Sequence, residues 1–120
     1  MPHYPDVTIP RRLEAITAGI GYDVASPYTV SIGLIPANAV VIGCLVNTAT
    51  AFSQASLTVG SNPADYDNLV GASDLTETSA GATTVLKYVA LAADTTYKAK
   101  FVDAGTSTQG YAYITILYSL

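Results

Sequence analysis

The strongest constraint in this chain is a two-residue rhythm. Apolar and polar residues alternate through Tyr28–Leu34, Thr95–Val102 and Gly110–Leu120, and turn residues interrupt the rhythm about every 8–12 positions, as in sandwiches and jelly rolls. Successive side chains of a strand point to opposite faces, so this rhythm builds half-buried sheet surface. Val, Ile, Thr, Tyr and Phe make up 45 of the 120 residues, and these residues fit a pleated sheet. Glu, Lys, Arg, Gln and Met are scarce, so exposed helices lack their usual residues. The reading predicts an all-β chain: one antiparallel β-sandwich or jelly-roll-like domain over residues 13–120, with about eight short strands, preceded by an extended N-terminal arm over 1–12. A domain of this length buries roughly two-thirds of its unfolded surface and needs no covalent staple.

The expected elements follow from the turn signals. Leu13–Thr17 opens the domain, and Gly19, Gly21 and Asp23 are expected to end that strand. Tyr28, Val30, Ile32 and Leu34 share one face of the next. Val40–Thr48 is apolar on both faces, with Val40, Ile42, Cys44 and Val46 on one and Val41 and Leu45 on the other. Such a strand is covered twice, by the core and by something else. Leu57 and Val59 point inward, and residues 60–65 form a loop. Leu69-Val70 and Leu75 belong to a short irregular piece, and Ser79–Ala82 is a turn. Thr84–Ala90 is a strand, followed by a hairpin turn at Ala93-Asp94. Tyr97, Ala99 and Phe101 point inward, opposite Thr96, Lys98 and Lys100, and residues 103–106 turn the chain. In the last strand Ile114, Ile116, Tyr118 and Leu120 face inward, opposite Tyr111, Tyr113, Thr115 and Leu117.

Charge excludes several classes of partner. The net charge is −4, and no Lys or Arg occurs between Leu13 and Leu86. A phosphate-backbone footprint needs clustered cations, so no nucleic acid is expected. The longest apolar run, Ala39–Val46, is far shorter than the ~20 residues of a membrane span, so no membrane is expected either. Residues 1–6 lack the apolar segment of a secretory leader, which points to a chain made in a cytoplasm. Cys44 is the only cysteine, so the chain forms no internal disulfide, and its apolar neighbours mark a buried small hydrophobe.

Chemistry is equally thin. His3 is the only histidine and lies in the proline-rich arm, where nothing holds it against a nucleophile. Most of the aspartates occupy turn contexts, where Asp bonds its own backbone. Asp65, Asp67, Asn68 and Asp74 bring oxygen ligands into one loop, but their spacing is not that of an EF-hand. The reading predicts no enzyme, no cofactor and no metal.

Tyrosine carries the aromatic load, with nine Tyr against two Phe and no Trp. Tyr111 and Tyr113 share a face with Leu117, and a tyrosine suits a half-wet surface. That face reads as a protein interface, a sugar platform or the rim of the core. In the arm, Pro2, Pro5 and Pro10 hold the backbone extended around Val7-Thr8-Ile9, and Arg11-Arg12 at its base suits an acidic neighbour. The candidate interface residues are therefore Val7, Ile9, Arg11, Arg12, Val41, Leu45, Tyr111, Tyr113 and Leu117.

The segments Ile35–Gly43, Ala49–Phe52, Leu57–Gly60, Ala64–Val70, Asp74–Thr76 and Gly110–Ile116 together resemble a class of small β-sandwich virion proteins of tailed phages. These include capsid decoration (cement) proteins and head or tail fibre components. The likeness covers residues 28–120 and lies in the texture of strands and turns. It implies a non-enzymatic structural role on the capsid surface of a virion assembled in the host cytoplasm. The implied partners are other copies of the chain, as a homotrimer, and the major capsid protein, with arms clasping neighbours. A tail fibre or baseplate adhesin, or a carbohydrate-binding module, is the alternative.

Overall fold

The computed structural model describes residues 12–23, 28–52, 55–75, 80–103 and 108–120. These form seven strands: β1 (Leu13–Gly21), β2 (Tyr28–Ile35), β3 (Val40–Thr50), β4 (Ala55–Gly60), β5 (Gly81–Ala90), β6 (Thr95–Asp103) and β7 (Tyr111–Ser119). No described residue is helical. One sheet has the order β1-β7-β3-β5 and the other β2-β6-β4, and every pairing is antiparallel. Each strand lies in the opposite sheet from the one before it, so no two consecutive strands pair. This is a jelly-roll-like β-sandwich. The expected eighth strand is reduced to one bridge, Val59 to Val70, on the outer edge of β4.

The inner faces are those the alternation predicts in β4, β6 and β7. Leu57, Val59, Ala99, Phe101, Ile114 and Ile116 are fully buried, with Tyr97 and Tyr118 beside them. The rings of Phe52 and Phe101 meet at 5.2 Å between centroids. At Gly110 the backbone has φ +141°, and a β-carbon there would strike the Phe52 ring. Only glycine combines that conformation with so close an approach. The sheets also meet at Gly33, whose missing side chain leaves room for Ile16 of β1.

Two β-bulges overturn the expected faces elsewhere. In β2 the pairing with β6 slips between Ser31 and Gly33. The extra residue reverses the alternation, so Ile35 is buried and Leu34 is exposed. In β3 the register slips between Val41 and Gly43 against both neighbours. Val41 therefore joins Cys44 and Val46 in the interior, away from Leu45. A bulge places two residues opposite one and re-aims everything beyond it.

Three expected breaks have other roles. β1 runs through Gly19 to Gly21. Gly81 and Ala82 begin β5 rather than forming a turn. Residues 91–94 are not a hairpin, because β5 and β6 lie in different sheets. They form a corner tied to the β2–β3 corner: Ala37 N–H donates to Asp94 Oδ1 at 2.9 Å, and Asn38 N–H donates to the Leu91 carbonyl at 2.8 Å. Asn38 has φ 71°, a left-handed conformation that Asn tolerates well.

Candidate functional site

The two outer faces of the sandwich differ in what covers them. On the three-stranded sheet the loop over residues 61–70 folds back across the strands. Lys100 Nζ donates to the Ala64 carbonyl at 2.8 Å, and Lys98 Nζ lies 5.6 Å from the centre of the Tyr66 ring. Thr58 Oγ1 donates to the Asp65 carbonyl and is buried by that loop. Asn62 holds the loop together. Its Oδ1 accepts from the backbone N–H groups of Asp67 and Asn68, and its Nδ2 donates to Asp67 Oδ1.

Asp67 and Asp74, two of the aspartates expected in turn contexts, accept hydrogen bonds within their own loop. Asp67 accepts from Asn62, and Asp74 accepts from the Gly71 N–H at 2.8 Å. Among the described residues no three His, Cys, Asp or Glu side chains form a metal-ligating group. Burial pushes the Cys44 thiol up to about 12, which leaves it protonated and inert. Burial also raises the Tyr97 hydroxyl above its ordinary range, against the opposing effect of a hydrogen bond with Ser61.

The outer face of the four-stranded sheet carries no covering loop in the described residues and no charge in its central rows. Register builds those rows. Ala15, Leu117, Gly43 and Leu86 form one; Thr17, Thr115, Leu45 and Thr84 the next; Gly19, Tyr113, Asn47 and Ala82 the third. Leu45, Leu86, Tyr111, Tyr113 and Leu117 are all exposed large hydrophobics, as is Tyr88 on the edge strand β5. The hydroxyls of Thr17 and Thr115 meet at 3.3 Å. Isolated exposed apolar side chains are ordinary, but a contiguous uncharged patch marks an interaction surface.

This face has relief. At one end Tyr111 leans from β7 over β1, where the absent β-carbon of Gly19 would stand 2.5 Å from its hydroxyl and that of Gly21 3.3 Å from its ring. Tyr113 packs on Tyr111, with ring centroids 4.9 Å apart, and the pair forms a ridge. Toward the other end a groove of about 330 Å³ opens between β7, β3 and β5. Ile42, Gly43, Leu45, Leu86 and Leu117 are among the residues that line it. The bulge that turned Val41 inward places Ile42 on the groove wall. A β-carbon on Gly43 would touch Leu86 and the Val85 carbonyl.

Of the residues singled out from the sequence, this face gathers Leu45, Tyr111, Tyr113 and Leu117. Val41 does not belong to it, because it is fully buried in the core. Val7, Ile9 and Arg11 lie outside the described residues. Arg12 pairs with Glu14 of its own β1 at 3.3 Å. Sequence reasoning missed Leu86, Ile42 and Gly43. The available signal was a glycine inside an otherwise apolar strand, which marks a bulge or a close backbone approach.

No protein-family model matches the chain, and no curated protein matches it. Solved structures do. A chain of the acidic stable capsid structure of Helicobacter pylori bacteriophage KHP30 superposes with a TM-score of 0.68 at 17% identity, covering 90% of this chain and 87% of that one. A chain of the cyanophage Pam1 capsid asymmetric unit gives 0.58 at 16% identity, covering 100% and 99%. A chain of the capsid of Ralstonia phage GP4 gives 0.52 at 17% identity, covering 100% and 90%. At these identities the likeness shows a shared fold.

Proposed function

We propose that this chain is a structural protein of a phage virion, a decoration or cement protein that sits on the outside of a tailed-phage head and stabilises it. Its partners are the major capsid protein and other copies of itself, and it works without catalysis. The observation that carries this reading is the uncharged, tyrosine- and leucine-bearing outer face of β1-β7-β3-β5, on a fold shared with chains of three phage capsid structures. Interface cores are depleted of charge and enriched in Tyr. Many modest contacts of this kind, repeated over a shell, add through multivalency.

The test is the copy number and position of the chain in purified particles, by quantitative mass spectrometry and image reconstruction. Hundreds of copies on the shell are expected. A handful at the tail would replace decoration with an adhesin role, and absence from particles would overturn the reading entirely.

A further inference from the structure

We propose that the outer face of the four-stranded sheet pairs with the same face of a second copy about a twofold axis, the Tyr111–Tyr113 ridge of each copy seated in the groove of the other. The inference deepens the reading of this face given above by naming its occupant. It begins from the arrangement of ridge and groove. Both lie on one sheet surface, the ridge centred on residues 111–113 of β7 and the groove beside residues 115–117. Four residues of strand separate them by about 13 Å. A twofold axis in the contact plane, crossing midway between the two features, exchanges them. Each ridge then meets a groove, and the contact is made twice.

Size and chemistry agree. The groove holds about 330 Å³, on the order of two side chains at interior packing density. Four strands of 9, 9, 11 and 10 residues present roughly 600 Å² of flat footprint, and side-chain relief raises it toward the ~800 Å² per partner of a standard interface. The central rows carry no charge, so two copies meet without like-charge repulsion, and a charged partner finds nothing there to pair with. Tyr113 stands raised on a ring that is itself laid down on two glycines, so it enters the groove as an ordered anchor. A threefold assembly needs two different patches meeting head to tail, whereas a self-complementary face makes an isologous pair. Two copies, rather than the three implied by the phage resemblance, therefore form the unit.

The experiment is sedimentation equilibrium of the full chain, free of particles, from micromolar concentration upward. The expected mass is twice 12.4 kDa. Tyr113→Ala removes an aromatic anchor worth about 30-fold in dissociation constant per contact, and about 1,000-fold in a pair that makes the contact twice. Thr84→Trp fills the groove and is expected to block pairing as strongly. Mixing the two variants is expected to give a heterodimer tighter than either variant alone and weaker than wild type, because one of its two contacts sets an intact ridge in an intact groove. Urea melts of each variant check that it remains folded.

A single-chain mass up to roughly 100 μM would overturn the pairing. So would a trimer, or a dimer indifferent to both substitutions. Because no particle is present, a monomer refutes the pairing and leaves the virion role standing. A chain missing from particles refutes the role and leaves the pairing standing.

Discussion

Replacing Gly19 with alanine puts a methyl group where the Tyr111 side chain now lies. The new β-carbon would stand 2.5 Å from the tyrosine hydroxyl and 3.1 Å from two ring carbons, so the ring must move. Tyr111 is 40% exposed, which leaves on the order of 120 Å² of its roughly 200 Å² covered, or ~3 kcal/mol of burial if all of it were lost. A displaced ring keeps part of that cover but gives up its packing on Tyr113, about 0.5–1.5 kcal/mol. A net cost of ~1–2 kcal/mol is the expected range for the ring. Against it stands the gain from restricting the unfolded chain, about 0.4–1 kcal/mol for Gly→Ala where the backbone permits.

The balance gives a substitution that destabilises the wild-type protein by about 0.5–1 kcal/mol and stabilises a Tyr111→Ala background by about 0.4–1 kcal/mol. The assay is a double-mutant cycle in urea, with equal slopes for the four proteins as the condition for comparing midpoints. The coupling energy is expected near 1–2 kcal/mol, with a reversal of sign between backgrounds. If Gly19→Ala has the same effect with and without the Tyr111 ring, the glycines do not serve as its bed, and the rigid ridge loses its basis.

Gly110→Ala combines a φ of +141° with a clash on the Phe52 ring and is expected to cost about 3 kcal/mol or more, read from the urea midpoint. Asn62→Ala removes three hydrogen bonds of the 61–68 loop. The bonds are exposed, so the expected cost is only ~1–2 kcal/mol, together with faster proteolysis inside that loop. Cys44, raised to about 12 from an ordinary 9.0, keeps its proton in the folded chain while the unfolded chain releases it. Stability is therefore unaffected by this group below about pH 9 and falls by up to ~1.4 kcal/mol per pH unit between about 9 and 12. The raised Tyr97 adds in the same direction, and Cys44→Ala should flatten the early part of the fall in urea melts run from pH 8 to 11.

The strand rhythm was legible wherever register was regular. In β7 every residue from Tyr111 to Tyr118 faces the way period two requires, and the same holds for the core positions of β4 and β6. The rhythm failed beyond Ile32, at Leu34, and again at Ile42, because a bulge adds a residue without adding a turn signal. Neither Val30-Ser31-Ile32-Gly33 nor Val41-Ile42-Gly43 contains anything that distinguishes a slip from continued alternation except the glycine. Strand order was not legible for a related reason. Ala93-Asp94 has the composition of a tight turn whether it joins two paired strands or carries the chain over the edge from one sheet to the other. Local turn chemistry specifies the reversal of direction, not the sheet to which the chain returns.

The interaction face lay between these cases. Tyr111, Tyr113 and Leu117 follow from period two alone, because β7 pairs regularly with β1. The groove beside them depends on the β3 bulge, which sends Val41 inward and Ile42 outward and brings Leu86 against Gly43. A reading that keeps Val41 and Leu45 on one face cannot find it. The charge pattern points to the same face from another direction. Lys98 and Lys100 lie on the outer side of β6, where they hold the 61–70 loop against the three-stranded sheet, whereas Leu13 to Leu86 contains no cation at all. The third lysine in a strand, Lys87 of β5, also turns to that loop, its Nζ donating to the Asn68 carbonyl at 3.2 Å. The face left uncovered is the one whose central rows carry no charge, and an uncharged surface of leucine and tyrosine gains most by meeting another surface like it.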